Sequence, residues 1–122
     1  MMTFTIPGTP RSKKNSQRVV LRGKHPVILP SKAWCTWVEE TRSILHGVRW
    51  AGQHCNVNAQ FYMDTRRLVD ACNLYNGLAD LLQAHGVVDD DKLFVSWDGS
   101  RINYDKENPH CLVTLTEASA PW

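Results

Sequence analysis

Along this chain the spacing of apolar residues switches between a period of two and a helical period, and each switch marks an element. Thr3 to Ile6 alternates polar and apolar and stops at Pro7-Gly8, which predicts a short strand closed by a turn. Thr9 to Gln17 has no apolar period and predicts a loop. Arg18 to Leu21 and Val27 to Leu29 flank Arg22-Gly23-Lys24-His25, the pattern of a hairpin, and Pro30 ends it. Ser31 is placed to cap a helix running from Lys32 to His46, and Gly47 is suited to stop it. Trp34, Trp37, Val38, Ile44 and Leu45 form the apolar stripe of that helix, with Trp34 and Trp37 expected in the core.

Asn56 to Asp64 alternates again. Val57, Ala59, Phe61 and Met63 share one face, and polar residues with Tyr62 share the other, as in a half-buried strand. A second helix is predicted from Ala71 to His85, with Leu74, Leu78, Leu81 and Leu82 inward and Gly86 at its end. Asp89-Asp90-Asp91 reads as a polar loop. Leu93 to Trp97 and His110 to Thr116 are two further strands, joined through Asp98-Gly99 and Asn108-Pro109 turn chemistry. The order predicts an α+β fold, a single domain over residues 1–122 with a small mixed sheet packed against two main helices.

Composition agrees with one globular core. The chain has 122 residues, 43% apolar and 21% charged, which excludes a fibrous repeat or a disordered tail. Its apolar runs fall far short of the roughly 18 residues a membrane span needs. The opening Met1-Met2-Thr3-Phe4 lacks a basic start and an apolar run, so no secretory signal is read. The expectation is a soluble cytoplasmic protein with no membrane partner.

Charge changes the picture more. The net charge is +2, yet no acidic residue precedes Glu39, and that stretch holds 7 of the 14 basic residues, among them Lys13, Lys14 and Arg18. Such an arm suits a polyanion, most often nucleic acid, although a solvated loop would look the same. The cysteines at 35, 55, 72 and 111 form no Cys-x-x-Cys pair and suit no zinc ribbon or finger, so buried free thiols are expected.

The carboxylates offer the candidate chemistry. Asp70 stands at the start of the second helix, where an N-cap is its ordinary role. Asp89, Asp90 and Asp91 follow its end, where an exposed turn is the ordinary role. A 15-residue helix is roughly 22 Å long, so these groups meet only if the chain folds back after Gly86. An Asp pair beside a basic arm would suit Mg²⁺, which takes one or two carboxylates plus waters and phosphate oxygens.

Arg66-Arg67-Leu68-Val69-Asp70-Ala71-Cys72-Asn73-Leu74, then Asp80-Leu81-Leu82, then Gly86-Val87-Val88-Asp89-Asp90-Asp91, resembles the RusA family of Holliday junction resolvases. The family's signature is Asp-x-Asp-Asn-Leu opening a helix, Asp-Ala-Leu within it, then Gly, a short apolar stretch and Asp-Asp. The opening Phe4 to Pro10 with Lys13-Lys14, and the closing Leu112 to Glu117, resemble its first and last strands.

The resemblance implies a homodimeric α+β endonuclease of phage or prophage type. Such an enzyme nicks four-way DNA junctions symmetrically with Mg²⁺ (Mn²⁺ as a substitute) held by aspartates. Asp70 and Asp91 would hold metal with Asp90 assisting, and Asn73 matches the motif asparagine. Lys13, Lys14, Arg18, Arg66 and Arg67 would bind backbone phosphates. Two residues depart from the pattern: Cys72 stands where the motif has its second aspartate, and Asn76 where some members carry a lysine. A thiolate is a poor Mg²⁺ ligand. Asp64 or Asp89 would have to compensate, or the chain is a weakened member that binds branched DNA without cutting.

Overall fold

A computed structural model describes residues 1–12 and 18–122. Its elements are β1 (Met2–Pro7), β2 (Arg18–Arg22), β3 (His25–Leu29), α1 (Lys32–Glu40), α2 (Arg42–Leu45), β4 (Cys55–Met63), α3 (Ala71–Ala84), β5 (Phe94–Ser96), β6 (Arg101–Tyr104) and β7 (His110–Glu117). The α+β class expected from the residue pattern is the one observed. β2 and β3 pair as the expected hairpin, a separate two-stranded sheet. No helix among the described residues is long and apolar enough to cross a membrane.

The main sheet is built around β4. On one side β7 runs antiparallel to it, and β1 runs antiparallel to β7. On the other side β5 pairs with its first residues and β6 with its last, both parallel. Strict alternation along β4 buries Cys55, Val57, Ala59, Phe61 and Met63, and leaves Asn56, Asn58, Gln60 and Tyr62 half-buried on the opposite face. The helices cover the apolar face, where Leu78, Leu81 and Leu82 of α3 are fully buried. Trp34 and Trp37 are buried as expected, and Trp34 Nε1 donates to the Gly77 carbonyl at 3.0 Å, joining α1 to α3.

Two expectations need correction. The first helix does not run unbroken to His46. At Thr41, which is fully buried, the hydroxyl donates back to the Trp37 carbonyl at 2.8 Å and lies 3.1 Å from His85 Nε2. Such back-bonding bends helices, and the chain continues as the single turn α2. The stretch between the last two predicted strands also holds β6: Arg101-Ile102-Asn103-Tyr104 alternates polar and apolar, a short strand pattern not included among the expected elements. Pairing with β4, Gln60 opposite Arg101 and Met63 opposite Tyr104, makes it a strand.

Burial also sorts the cysteines. Cys55 and Cys111 are fully buried in the sheet, whereas Cys72 is exposed on α3. Burial pushes the Cys55 thiol up to about 11, and pushes Cys111 further in the same direction. Both therefore remain protonated and shielded at mildly alkaline pH. Iodoacetamide added to the native chain is expected to label Cys72 first and to spare Cys55 and Cys111 until denaturant is added, as read by peptide mass spectrometry. Fast native labelling of Cys111 would refute this packing.

Candidate functional site

The sheet topology decides which ends meet. β1 and β4 are each antiparallel to β7, so both leave the sheet at the same edge. The segment after β1 and the segment after β4 thus emerge side by side, and α3 starts from that edge. Together they line a cleft of about 340 Å³. Arg11 and Ser12 come from the exit of β1, Lys32 from the first turn of α1, Asp64 from the exit of β4, and Asp70 and Asn73 from the start of α3.

Local bonds hold these walls. Ser31, 2% exposed, caps α1 by accepting from the Trp34 N–H at 3.2 Å, and its own hydroxyl donates to the Ser12 carbonyl at 3.0 Å. One side chain therefore joins the basic arm to the helix start. Asp70 is the N-cap of α3: its Oδ1 accepts from the N–H groups of Cys72 at 2.9 Å and Asn73 at 3.4 Å. The capping role and the candidate functional role thus fall on the same carboxylate, which is exposed toward the cleft.

Asp91 lies elsewhere. β4, α3 and β5 form a parallel crossover, so the chain returns to the starting edge of β4 before β5 begins. The Asp91 N–H donates to Gln83 Oε1 at 3.2 Å, beside the last turn of α3. Asp70 caps the first turn of that 14-residue helix, about 20 Å away along its axis. One chain therefore does not gather Asp70 and Asp91 into one site, and the expectation that the chain folds back to join them is corrected. Asp90 stands with Asp91 and caps the 3₁₀ turn Asp91–Leu93, accepting from the Lys92 N–H at 2.9 Å. Asp89 is bound in an ion pair with Arg49 at 2.7 Å at that same far end, so it does not replace a ligand beside Asp70.

The carboxylate that does share the cleft with Asp70 is Asp64. Cys72 does not line it, although its N–H serves the Asp70 cap. Asp64 and Asp70 line one cavity with Arg11 and Lys32, and these two carboxylates are the residues there that could hold a hard divalent cation. Arg11 and Lys32 were legible in the sequence only as members of the basic arm. The structure singles them out, because they line the same cavity as the carboxylates.

The other candidate DNA contacts divide. Arg66 and Arg67 line a neighbouring groove of about 620 Å³ with Arg101 and Tyr104. Arg18 opens β2, and its Nε donates to the Pro30 carbonyl at 3.4 Å. Lys13 and Lys14 lie outside the described residues. No protein-family model matches the chain, and no curated protein matches it.

Proposed function

We propose that this chain is a Mg²⁺-dependent endodeoxyribonuclease of RusA type that acts on branched DNA as a homodimer. The observation that carries the reading is the cleft lined together by Asp64, Asp70, Arg11 and Lys32. In this reading Asp64 and Asp70 would hold the metal, and Arg11 and Lys32 would bind the phosphate to be cut. Mg²⁺, when bound, supplies Lewis-acid activation of the phosphodiester and of water. Asn73 stands in the same wall and offers its side-chain amide to the substrate. Contacts of this kind grip the backbone and read no sequence, as suits an enzyme that selects DNA by shape.

Asp90 and Asp91 take part in this reading only through a second chain. A site that uses both ends of α3 needs the Asp91 of the partner subunit beside Asp70, which a two-fold dimer with antiparallel α3 helices would provide twice. The second reading is a member that occupies junctions without cutting them. The thiol at Cys72, where the resembling family carries an aspartate, favours it.

Incubation of a synthetic four-way junction with the protein and Mg²⁺ tests the first reading. Paired symmetric nicks on a denaturing gel are the expected result. Binding without nicks, with Mn²⁺ as well as Mg²⁺, leaves the second reading.

The arm makes its own prediction. Replacing Lys13 and Lys14 by Ala is expected to weaken binding to all DNA sequences alike. It should also flatten the salt dependence by about one unit of slope for each phosphate that is no longer neutralised. An unchanged slope would show that the arm does not touch DNA.

A further inference from the structure

The groove beside the cleft has a composition that backbone gripping alone does not explain. Arg66, Arg67 and Arg101, all exposed, line it, and among the described residues no acidic one does. Three like charges lining one groove give it a positive potential that attracts anions. Aromatic surface lies among them. The Arg66 guanidinium sits 5.0 Å from the centre of the Tyr104 ring, and Tyr104 is 44% exposed. Leu68, on the same groove, is fully exposed. Its volume of about 620 Å³ lies within the roughly 300–1,000 Å³ of small-ligand clefts.

The groove also adjoins the candidate cleavage site. Thr65 and Val69 line both cavities, so the segment from Asp64 to Asp70 is a shared wall. β6 is parallel to β4 and pairs Tyr104 with Met63, which sets Tyr104 at the same sheet edge as Asp64. A strand whose phosphate sits in the cleft would therefore lead its neighbouring nucleotide into the groove.

From this charge, aromatic surface and adjacency we infer that the groove is a subsite for one unpaired nucleotide of DNA, next to the phosphate held in the cleft. The base stacks on the Tyr104 ring or the Arg66 guanidinium plane, and Arg67 and Arg101 take its phosphates. Bases without a partner are read by such platforms because every base presents a π-face. Leu68 stands where an apolar side chain fills the gap left in the stack. The inference rests on the nuclease reading for the position of the neighbouring phosphate. It adds a reason for choosing branched DNA, since a branch point supplies unpaired bases and a continuous duplex does not.

The test measures binding by the full chain to two duplexes without divalent metal, so that neither is cut. One carries a single bulged fluorescent adenine analogue; the other has the same analogue fully paired. The native chain is expected to bind the bulged duplex more tightly and to change the analogue's fluorescence. Tyr104→Ala should weaken binding to the bulged duplex about tenfold and remove the fluorescence change, whereas Tyr104→Phe should keep both. Arg101→Gln, at an exposed position, should weaken bulge binding even if Tyr104→Ala proves unstable on melting. Equal binding of both duplexes by the native chain would overturn the subsite. So would a preference for the bulge unmoved by the Arg101→Gln change and by any folded Tyr104→Ala. Junction nicking is scored separately: bulge selectivity through Tyr104 without nicking would overturn the nuclease reading and leave the subsite standing.

Discussion

Replacing Asp70 by Asn is expected to abolish Mg²⁺-dependent nicking of a four-way junction while the protein stays folded. Asp70 performs two tasks with one side chain. As N-cap it accepts hydrogen bonds from the Cys72 and Asn73 N–H groups, and an Asn side-chain oxygen can still accept them. As metal ligand it supplies negative charge, which Asn lacks. The two roles are therefore separable: Asp70→Asn should melt within about 0.5 kcal/mol of the native protein, whereas Asp70→Ala should cost about 1 kcal/mol by removing the cap. Cleavage should fall by more than the roughly 10–100-fold that losing a mere supporting group around a metal costs. Asp64→Asn should behave like Asp70→Asn. Asp91→Asn should do so only if the partner subunit's Asp91 completes the site, which makes it the test of a two-chain centre. Cys72→Asp restores a hard oxygen ligand in the first turn of α3 and should raise the nicking rate if that position adjoins the metal. A folded Asp70→Asn protein that nicks as fast as the native one would end the metal-site reading.

The largest loss of stability is expected from Trp34→Ala, about 3–5 kcal/mol in urea unfolding. That is a large part of the roughly 5–15 kcal/mol that holds a typical domain folded. Trp34 is 8% exposed and joins α1 to α3 by packing and by its bond to the Gly77 carbonyl. Trp34→Phe divides the two contributions. It keeps much of the packing and removes the indole donor from the Gly77 carbonyl, which retains its bond within α3, so the change should cost about 0.5–1.5 kcal/mol for the hydrogen bond. A loss under about 1 kcal/mol for Trp34→Ala would show that the α1–α3 junction adds little to the core. Because Ser31, just before α1, also holds the Ser12 carbonyl, loosening α1 should disturb the Arg11–Lys32 wall of the cleft. Weaker junction binding is expected in Trp34→Ala even where the protein remains folded.

Much of the fold could be read from residue order. Alternation in β4 and the leucine spacing of α3 reflect periods of two and 3.6 that the backbone imposes wherever one face is buried. Ser31 and Asp70 were legible as caps because a helix start leaves N–H groups that a short polar side chain satisfies. Long-range pairing was not legible. Arg101 to Tyr104 alternates polar and apolar, but its parallel pairing with β4 is set across the sheet. The break at Thr41 depends on a hydroxyl turned toward Trp37 and His85, a residue 44 positions away in the chain. The grouping of the carboxylates depends on strand direction. A parallel β5 sends Asp91 to the edge opposite Asp70, and an antiparallel one would have entered from the Asp70 edge. Sequence by itself determined which side chains stand at the ends of β1, β4 and α3, because local periodicity and capping are short-range. Only tertiary structure decided that Asp64 is the carboxylate that shares a cleft with Asp70, together with Arg11 and Lys32, because which chain segments emerge side by side is set by topology.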